Sequence, residues 1–321
     1  MEQKKVLITR MIPEEGINKL REYFEVEVNE LDRAYTYEEL KEKVKGKDGV
    51  LCLLSDQIDG EIMDVEDRVK IFANYAVGYN NMDVEAAKAR DIYLSNTPGV
   101  LTDATADIAW ALLFATARRV VEGDRYIRDG KFLGWSPKLL LGRDVSGKTI
   151  GIIGAGRIGR AVALRAMAFN MKILYYNRSR KENFEKETGA EYVTFKELLE
   201  KSDYVSIHTP LTKETTHMIS DKEFDMMKDT AILINTSRGP VVDEKALVRA
   251  LKDKKIWGAG LDVYEKEPEV EEGLKDLSNV VLCPHLGSAT DETRIKMAVM
   301  AADNIIAVLR DGKVPHNCVS L

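Results

Sequence analysis

The segment TIGIIGAGRIG, residues 149–159, identifies the architecture of the second half of this chain. It joins an apolar run that suits a buried strand to an amphipathic run, RIGRAVALRAMAF, that suits a helix. In that setting the first glycine permits a tight turn, the second lets the backbone approach a pyrophosphate, and the third lets helix and strand pack closely. The helix N-terminus adds free N–H groups and the positive end of its dipole. We therefore predict a dinucleotide-binding loop made of Gly154, Ala155, Gly156, Arg157, Ile158 and Gly159.

Apolar runs alternate with helical segments on both sides of this loop. Strand-like runs lie at 49–55 and 70–78 before it, and at 172–177, 204–209, 231–236, 258–263 and 280–285 after it. This alternation is typical of parallel sheets covered by helices on both faces. We predict the α/β class with two doubly wound parallel-sheet (Rossmann-like) domains.

The last helical segment, about residues 291–309, is expected to return to the first domain and make it discontinuous. The predicted boundaries are 1–98 plus 289–321 for a flavodoxin-like substrate domain and 99–288 for the dinucleotide-binding domain. One long helix is predicted over about 104–124. The apolar loop at 130–146 suits either an interface or a segment folded onto its own core, and the sequence leaves both open.

Composition excludes several classes of protein. The 321 residues carry a net charge of −6 without a long run of one sign, which disfavours nucleic acid or an anionic membrane as partner. The longest apolar stretch, 108–117, is too short to span a bilayer. Three scattered cysteines predict neither a disulfide framework nor a metal site. The N-terminal run enters a strand without a secretory apolar region, so we expect a cytoplasmic protein.

The residue that selects the cofactor is expected at the end of the strand after the loop, about 20 positions beyond the first glycine. The sequence there is Asn177-Arg178-Ser179-Arg180. No carboxylate is present to repel a 2′-phosphate, and two guanidinium groups are available to bind one. We predict that NADP(H) is preferred and NAD(H) possible. The alternative is a solvated turn with NAD still favoured.

Three successive strand ends carry ionisable residues, namely Arg238, Glu267 and His285. In open α/β sheets the ligand lies beyond the carboxyl ends of the strands. A protonated His can donate to the oxygen of a carbonyl under hydride attack, and a carboxylate beside it favours the charged imidazole. An Arg can bind a substrate carboxylate. Each residue also has a structural alternative, and Glu265 and Glu269 compete for the role of the acid.

His208 ends another strand, in HTPLT, where Pro210 is expected to shape a loop on the adenine side. We predict that His208 has a structural function beside the cofactor.

Six motifs identify a resemblance over essentially the whole chain. They are NYAVGYNNMD (74–83), NTPGVLTDATADIAWALL (96–113), GIIGAGRIG (151–159), NTSRGPVVDEKAL (235–247), GAGLDVYEKEP (258–268) and PHLGSAT (284–290). The chain resembles the D-isomer-specific 2-hydroxyacid dehydrogenases, with the nearest likeness to the glyoxylate/hydroxypyruvate reductases. The formate dehydrogenases of this family carry an amide where Glu267 stands, so the chain departs from that branch.

The resemblance implies a function for individual residues. Arg238 would bind the substrate carboxylate, Glu267 would pair with the catalytic His, and His285 would be the acid/base. Cofactor contacts are implied for Thr105, Thr236, Ser237, Asp262 and Gly287, and substrate contacts for Leu54, Ser55, Val77 and Gly78. The family is usually dimeric, which implies a homodimer through residues around 130–146.

These observations predict an NADPH-preferring reductase that converts glyoxylate or hydroxypyruvate to glycolate or D-glycerate. One alternative is an NAD-dependent D-lactate or D-3-phosphoglycerate type of dehydrogenase. A phosphorylated substrate would need further cations near Leu54, and LLSDQID (53–59) has none. An alternative of another class is a dinucleotide-sensing binding protein like the family's corepressors.

Overall fold

The computed structural model describes residues 3–31 and 33–321. Its contacts divide the chain into two compact units, Met1–Leu101 with Ser288–Leu321, and Thr102–Gly287. Each unit holds a parallel sheet with helices around it. The predicted α/β class with two parallel-sheet domains, the first discontinuous, is therefore confirmed.

In the described residues, the first unit holds a five-stranded parallel sheet. Its strands are β1 (Lys5–Ile8), β2 (Glu25–Val28), β3 (Gly49–Cys52), β4 (Ile71–Asn74) and β5 (Tyr93–Ser95). Numbered in chain order, its helices are α1 (Glu14–Arg21), α2 (Tyr37–Val44), α3 (Gly60–Met63), α4 (Val84–Lys88) and α13 (Asp291–Leu309). The strand order is β2-β1-β3-β4-β5, so β3 and β4 are neighbours and end at the same edge.

The C-terminal helix belongs to this unit because it packs against α1, β3 and β4. Gly16 of α1 lies so close to Ala298 that a Cβ at Gly16 would stand 2.7 Å from the Cβ of Ala298. Tyr75, just after β4, donates a 2.7 Å hydrogen bond from its hydroxyl to the carbonyl of Arg294. These contacts explain why the first domain is discontinuous in sequence.

The second unit begins with two helices, α5 (Thr102–Ala117) and α6 (Val120–Arg128). Its strands are β6 (Thr149–Ile153), β7 (Lys172–Tyr176), β8 (Glu191–Tyr192), β9 (Tyr204–Ile207), β10 (Ile232–Asn235), β11 (Gly258–Leu261) and β12 (Val280–Leu282). Its further helices are α7 (Arg157–Ala168), α8 (Glu182–Thr188), α9 (Phe195–Lys201), α10 (Asp221–Phe224), α11 (Glu244–Lys252) and α12 (Glu272–Lys275), with a short 3₁₀ turn at Gly239–Val241.

The sheet of the second unit runs in the order β12-β11-β10-β9-β6-β7-β8, with all neighbours parallel. The order reverses between β6 and β9, which is the switch point where doubly wound sheets bind dinucleotides. The predicted loop at 154–159 follows β6 directly. Strands β10, β11 and β12 lie side by side, so the segments after them emerge at one edge.

The single helix predicted over 104–124 is wrong, because the structure has two helices there. Arg119 adopts a left-handed φ of 55°, and the carbonyl of Ala117 accepts a 2.8 Å hydrogen bond from the N–H of Arg143. That carbonyl is therefore engaged by the loop that follows α6, and the chain turns between α5 and α6. Helix α5, which contains the whole apolar stretch at 108–117, packs against β10, β11 and α7. Within residues 3–31 and 33–321, no helix combines the length and apolar character needed to cross a membrane.

Candidate active site

The glycine loop after β6 has the geometry of a phosphate-binding turn. Gly154 has a φ of 102°, and a Cβ there would stand 2.7 Å from the carbonyl carbon of His208. A Cβ at Gly159 would overlap the carbonyl oxygen of Gly154, whereas a Cβ at Gly156 would meet no atom within 4 Å. The backbone is thus crowded on its inner side and open at Gly156, where α7 begins. This loop fits a pyrophosphate held by the free N–H groups of a helix N-terminus.

Asn177 follows β7 and contacts the glycine loop. Its side-chain Oδ1 accepts a 3.3 Å hydrogen bond from the N–H of Ala155, and its Nδ2 donates to the carbonyl of Ser179 at 3.0 Å. These bonds hold a neutral amide at the position where NAD-binding sheets carry a carboxylate.

The two arginines beside Asn177 differ in their surroundings. The Arg180 guanidinium donates two hydrogen bonds to Glu185, at 2.8 and 2.7 Å. Arg178 is exposed, and in the part of the chain that the structure describes it belongs to no ion pair within 4 Å. Of the two guanidinium groups predicted to be available, Arg180 is bonded to a carboxylate and Arg178, among the described residues, is not.

Three buried polar atoms lie at the carboxyl ends of β9 and β10 without a hydrogen-bond partner among the described residues. They are Nδ1 of His208, Oγ1 of Thr209 and Oγ1 of Thr236. Because buried polar atoms are nearly always paired, such atoms at a switch point fit a ligand that supplies partners. Thr209 was missed by the sequence reasoning, although it directly follows His208.

His208 is held on its other nitrogen, where Nε2 lies 2.8 Å from Oγ of Ser206. Burial lowers the pKa of His208 to about 3, so the imidazole is neutral at physiological pH. It is therefore unsuited to donate a proton to a substrate near neutral pH. Pro210, two residues on, is exposed.

Glu267 and His285, from the segments after β11 and β12, lie in direct contact. Nδ1 of His285 is 2.9 Å from Oε2 of Glu267, and both side chains are about one-third exposed, 32% and 37%. The other oxygen of Glu267 accepts a 3.1 Å hydrogen bond from the N–H of Tyr264. Nε2 of His285 has no hydrogen-bond partner among the described residues, so it is the nitrogen left for a ligand.

Opposing effects act on the carboxyl of Glu267. Burial acts to raise its pKa, but the hydrogen bond and charge of His285, the N–H of Tyr264 and the charge of Arg238 together lower it below the usual value. The side chain is therefore a carboxylate at neutral pH, and its charge stabilises the protonated form of an adjacent imidazole. The carboxylate loses this charge as the pH falls through this lowered pKa.

Asp262 braces the turn that carries His285. Its two carboxylate oxygens accept hydrogen bonds from the N–H groups of Leu286, at 2.6 Å, and Gly287, at 2.8 Å. The carbonyl of Asp262 accepts from the N–H of His285 at 3.0 Å, and Thr105 donates from its hydroxyl to the carbonyl of Gly287 at 2.9 Å. His285 itself has a left-handed φ of 56°, a conformation that these bonds hold in place. Cofactor contacts of Asp262, Thr105 and Gly287 stay a prediction.

Arg238 lies on the loop after β10, close enough for its charge to act on Glu267. Its Nη1 donates to the carbonyl of Ser237 at 2.7 Å, and burial lowers the pKa of the guanidinium while the charge of Glu267 opposes that effect. An arginine remains protonated in any such environment. The structure therefore brings the cation near the Glu267–His285 pair.

Asn235 and Gly239 shape this loop. Asn235 donates from Nδ2 to the carbonyl of Arg238 at 3.0 Å, and its Oδ1 accepts from the N–H of Ser237 at 3.0 Å. A Cβ at Gly239 would overlap the carbonyl group of Tyr264, so only glycine lets the two loops approach this closely. Asn235 was missed by the sequence reasoning because a polar residue at the end of a buried strand carries no signal of its partner.

The predicted substrate residues of the first unit follow β3 and β4. Leu54, Val77 and Gly78 are half-buried and Ser55 is exposed. Both segments emerge at the carboxyl edge of that unit's sheet, where ligands bind in this architecture.

Comparison with known proteins assigns the family. The NAD-binding domain of the D-isomer specific 2-hydroxyacid dehydrogenases matches residues 110–287. The chain belongs to this family. It is therefore a 2-hydroxyacid dehydrogenase, an oxidoreductase whose Rossmann domain binds a nicotinamide dinucleotide. The predicted family and enzyme class are confirmed.

Relatives in this family resemble the chain along its whole length. The glyoxylate reductase of Pyrococcus furiosus is 55% identical over 320 residues, which cover 98% of this chain and 95% of that protein. A solved structure from Thermus thermophilus has a TM-score of 0.93 at 45% identity and covers 98% of this chain and 99% of its own. An NADPH-dependent glyoxylate/hydroxypyruvate reductase from Sinorhizobium meliloti, solved with NADP and malonate, has a TM-score of 0.88 at 33% identity and covers 99% and 97%.

Proposed function

We propose that this dehydrogenase reduces glyoxylate and hydroxypyruvate to glycolate and D-glycerate, with NADPH as the preferred reductant. The substrate proposal is supported by the names of relatives that are 53–55% identical to the chain. The reaction is supported above all by the 2.9 Å hydrogen bond between His285 and Glu267, which leaves Nε2 of the imidazole for a substrate oxygen.

His285 is the proposed general acid. As negative charge develops on the carbonyl oxygen of the 2-oxo acid, Nε2 of the protonated imidazole transfers its proton to that oxygen. Glu267 accepts the Nδ1–H hydrogen bond throughout and stabilises the cation before the transfer. In the reverse direction the neutral imidazole takes the proton from the 2-hydroxyl group.

Arg238 is proposed to hold the substrate carboxylate with its guanidinium and to stabilise the developing charge. Bound NAD(P)H supplies the hydride to the carbonyl carbon. The dinucleotide is proposed to lie along the glycine loop and the ends of β7, β9 and β10, in contact with the predicted residues Gly154 to Gly159, Asn177 to Arg180, Thr105, His208, Pro210, Thr236, Ser237, Asp262 and Gly287. In the first unit, considered by itself, Leu54, Ser55, Val77 and Gly78 are the proposed substrate contacts.

The substrate assignment is tested by following the oxidation of NADPH and NADH with four acids: glyoxylate, hydroxypyruvate, pyruvate and phosphohydroxypyruvate. We expect glyoxylate and hydroxypyruvate to give the highest kcat/KM. Preference for pyruvate or for phosphohydroxypyruvate would replace the proposal with a D-lactate or D-3-phosphoglycerate type of activity. Lack of turnover with every 2-oxo acid would favour a protein that senses the dinucleotide.

The preference for NADPH rests on the neutral side chain of Asn177 and on the exposed guanidinium of Arg178. Asn177→Asp places a carboxylate where it accepts hydrogen bonds from the ribose hydroxyls of NADH and repels a 2′-phosphate. We expect the ratio of kcat/KM for NADPH to that for NADH to fall by roughly tenfold or more. A tenfold change corresponds to about 1.4 kcal/mol. Steady-state kinetics with both cofactors measure the ratio.

The matched control for that variant is Asn170→Asp. Asn170 is exposed in the turn just before β7, at the opposite end of the strand from Asn177. It receives the same change in charge and should leave the cofactor ratio unchanged. A wild-type enzyme that already prefers NADH would contradict the proposed preference.

We also propose a homodimer through residues around 130–146. This loop and the helix before it expose several large apolar side chains, with Leu133 97%, Trp135 83% and Leu141 62% accessible. Isolated exposed apolar residues are ordinary, but a patch of them marks an interface. Trp135→Asp together with Leu133→Asp should convert the dimer to a monomer in sedimentation equilibrium, because a dimer would then bury unpaired charge.

Val314→Asp is the control for this pair, because Val314 is an exposed apolar residue outside the loop. It should leave the molecular mass unchanged. Wild-type protein that sediments as a monomer would refute the proposed assembly.

A cytoplasmic location is proposed as well. Cys52, Cys283 and Cys318 are all free thiols. Free thiols suit a reducing compartment, where disulfides are rare.

A further inference from the structure

In the first unit, several carbonyl groups of the loops after β3 and β4 accept hydrogen bonds from side-chain amides or from a backbone N–H group. Asn81 donates from Nδ2 to the carbonyl of Leu53 at 3.0 Å and to that of Asp56 at 2.9 Å. The carbonyl of Ala76 accepts from the N–H of Thr97 at 2.8 Å. A single side-chain amide thus holds two carbonyls of the first loop.

Two more asparagines act on the second loop. Asn96 donates from Nδ2 to the carbonyl of Val77 at 2.7 Å, and Asn74 donates from Nδ2 to the carbonyl of Gly78 at 2.9 Å. Asn74 also donates to Oδ1 of Asn81 at 3.1 Å, so the side chain that holds the first loop is itself bonded to one that holds the second. Asn74 is fully buried, and Asn96 is 7% exposed.

Each of these bonds orients an N–H group as well. A peptide unit is planar and trans, so its N–H points opposite to its C=O. Fixing the carbonyls of residues 53, 76, 77 and 78 therefore turns the next N–H in each case to the side away from the donors. These N–H groups belong to Leu54, Val77, Gly78 and Tyr79, and none of them donates a hydrogen bond to another described residue.

The loops that carry these N–H groups are accessible. Tyr79 is exposed, and Leu54, Val77 and Gly78 are half-buried. Successive free backbone N–H groups form a nest with partial positive charge that binds anions without a cationic side chain. The one buried acid beside them, Asp56, is already engaged, because its Oδ2 accepts from the N–H of Leu53 at 2.7 Å and from the hydroxyl of Thr9.

We propose that Asn74, Asn81 and Asn96 are positioning residues that orient a backbone N–H nest for the carboxylate of the substrate. This inference rests on the proposed function, because a 2-oxo acid supplies the carboxylate. The three amides touch neither substrate nor cofactor. They act by fixing the direction in which the loop peptides point.

The first variant is Asn81→Asp in the full-length protein with NADPH present. Aspartate keeps the shape of the side chain, but it removes the Nδ2 donor from two carbonyls. We expect the KM for glyoxylate and the calorimetric Kd for oxalate each to rise by about tenfold or more, since two half-buried carbonyls lose the donor that orients them. The KM for NADPH should change little, which a general loss of structure would not allow, and the apparent Tm should fall because two carbonyls lose a hydrogen bond.

The second variant is Asn96→Ala, which removes the donor to the carbonyl of Val77 without adding a charge. If both variants weaken binding of the acids, the cause is the lost orientation of the loop peptides. Repulsion by a new carboxylate is then excluded, because only Asn81→Asp adds one. Should Asn81→Asp fail to fold, Asn96→Ala decides the question alone. The control is Asn279→Asp in the second unit, where Asn279 donates from Nδ2 to the carbonyl of Trp257 at 3.0 Å. The control should leave the KM for glyoxylate and the Kd for oxalate unchanged.

The outcomes separate this inference from the proposed function. Wild-type Kd and KM values in folded variants overturn the positioning role and leave the reductase activity standing. A wild-type protein that turns over neither 2-oxo acid, but whose variants bind oxalate more weakly, refutes the proposed function and supports the nest. A wild-type protein that binds no oxalate overturns the nest itself.

Discussion

Replacing His285 with alanine is expected to lower kcat for glyoxylate by roughly 10²–10⁴-fold, the usual range for the loss of a general acid. The physical reason is the 2.9 Å contact with Glu267, which holds Nδ1 and leaves Nε2 for the proposed transfer of a proton to the substrate oxygen. The KM for NADPH should change little, because the imidazole acts on the carbonyl and not on the phosphates. Single-turnover kinetics with NADPH in excess measure the chemical step directly.

His316→Ala is the control for that variant, because His316 is exposed and belongs to the first unit. It should retain wild-type rates. Near-normal rates for His285→Ala would contradict the assignment of His285 as the general acid. His208 would not take its place without further change, since burial lowers its pKa to about 3 and leaves it neutral.

Replacing Arg238 with alanine is expected to lower kcat/KM for glyoxylate by roughly 10²–10³-fold, comparable to the loss of a preorganised donor at a developing charge. The KM should rise and the kcat should fall, because the guanidinium is proposed to hold the carboxylate in the ground state and to stabilise charge in the transition state. The charge of Arg238 also helps to lower the pKa of Glu267. Initial rates over a range of glyoxylate concentrations separate the two parameters.

Arg238→Lys adds a second level to this test. Lysine keeps the charge but lacks the planar fork that binds a carboxylate through two hydrogen bonds. The kcat/KM for glyoxylate should therefore lie between those of the wild type and of Arg238→Ala. Arg249→Ala is the control, since Arg249 forms an exposed ion pair with Asp221 on another part of the same unit. An Arg238→Ala enzyme with an unchanged KM for glyoxylate would exclude carboxylate binding by this residue.

Much of the architecture could be predicted because the relevant signals are local. The glycines at 154, 156 and 159 and the apolar runs around them are read from neighbouring residues, and the structure has the loop between β6 and α7 as predicted. The break between α5 and α6 could not be read in this way. It depends on a hydrogen bond from Arg143 to the carbonyl of Ala117, a contact between residues 26 positions apart in sequence.

The choice among neighbouring acids shows the same limit. Physical reasoning on the sequence left Glu265 and Glu269 as competitors of Glu267, and only the family resemblance favoured one of them. In the structure Glu265 accepts from the N–H of Glu244 at 2.7 Å and lies 3.0 Å from His217, whereas Glu267 contacts His285. Two acids two residues apart thus have separate partners.

The sequence was sufficient to predict most of the strands and helices, the phosphate loop and the types of residue delivered to each strand end, because periodicity, glycine geometry and parallel strand direction are local properties. Tertiary structure alone decided which of those groups meet and which way the loop peptides face. A hydrogen bond depends on a few tenths of an ångström and on direction, and these are set by packing between segments far apart in the chain. The asparagines at 74, 81 and 96 lie in the motifs at 74–83 and 96–113, but those motifs do not indicate which carbonyls the three side chains bond, and the proposed positioning function rests on those bonds.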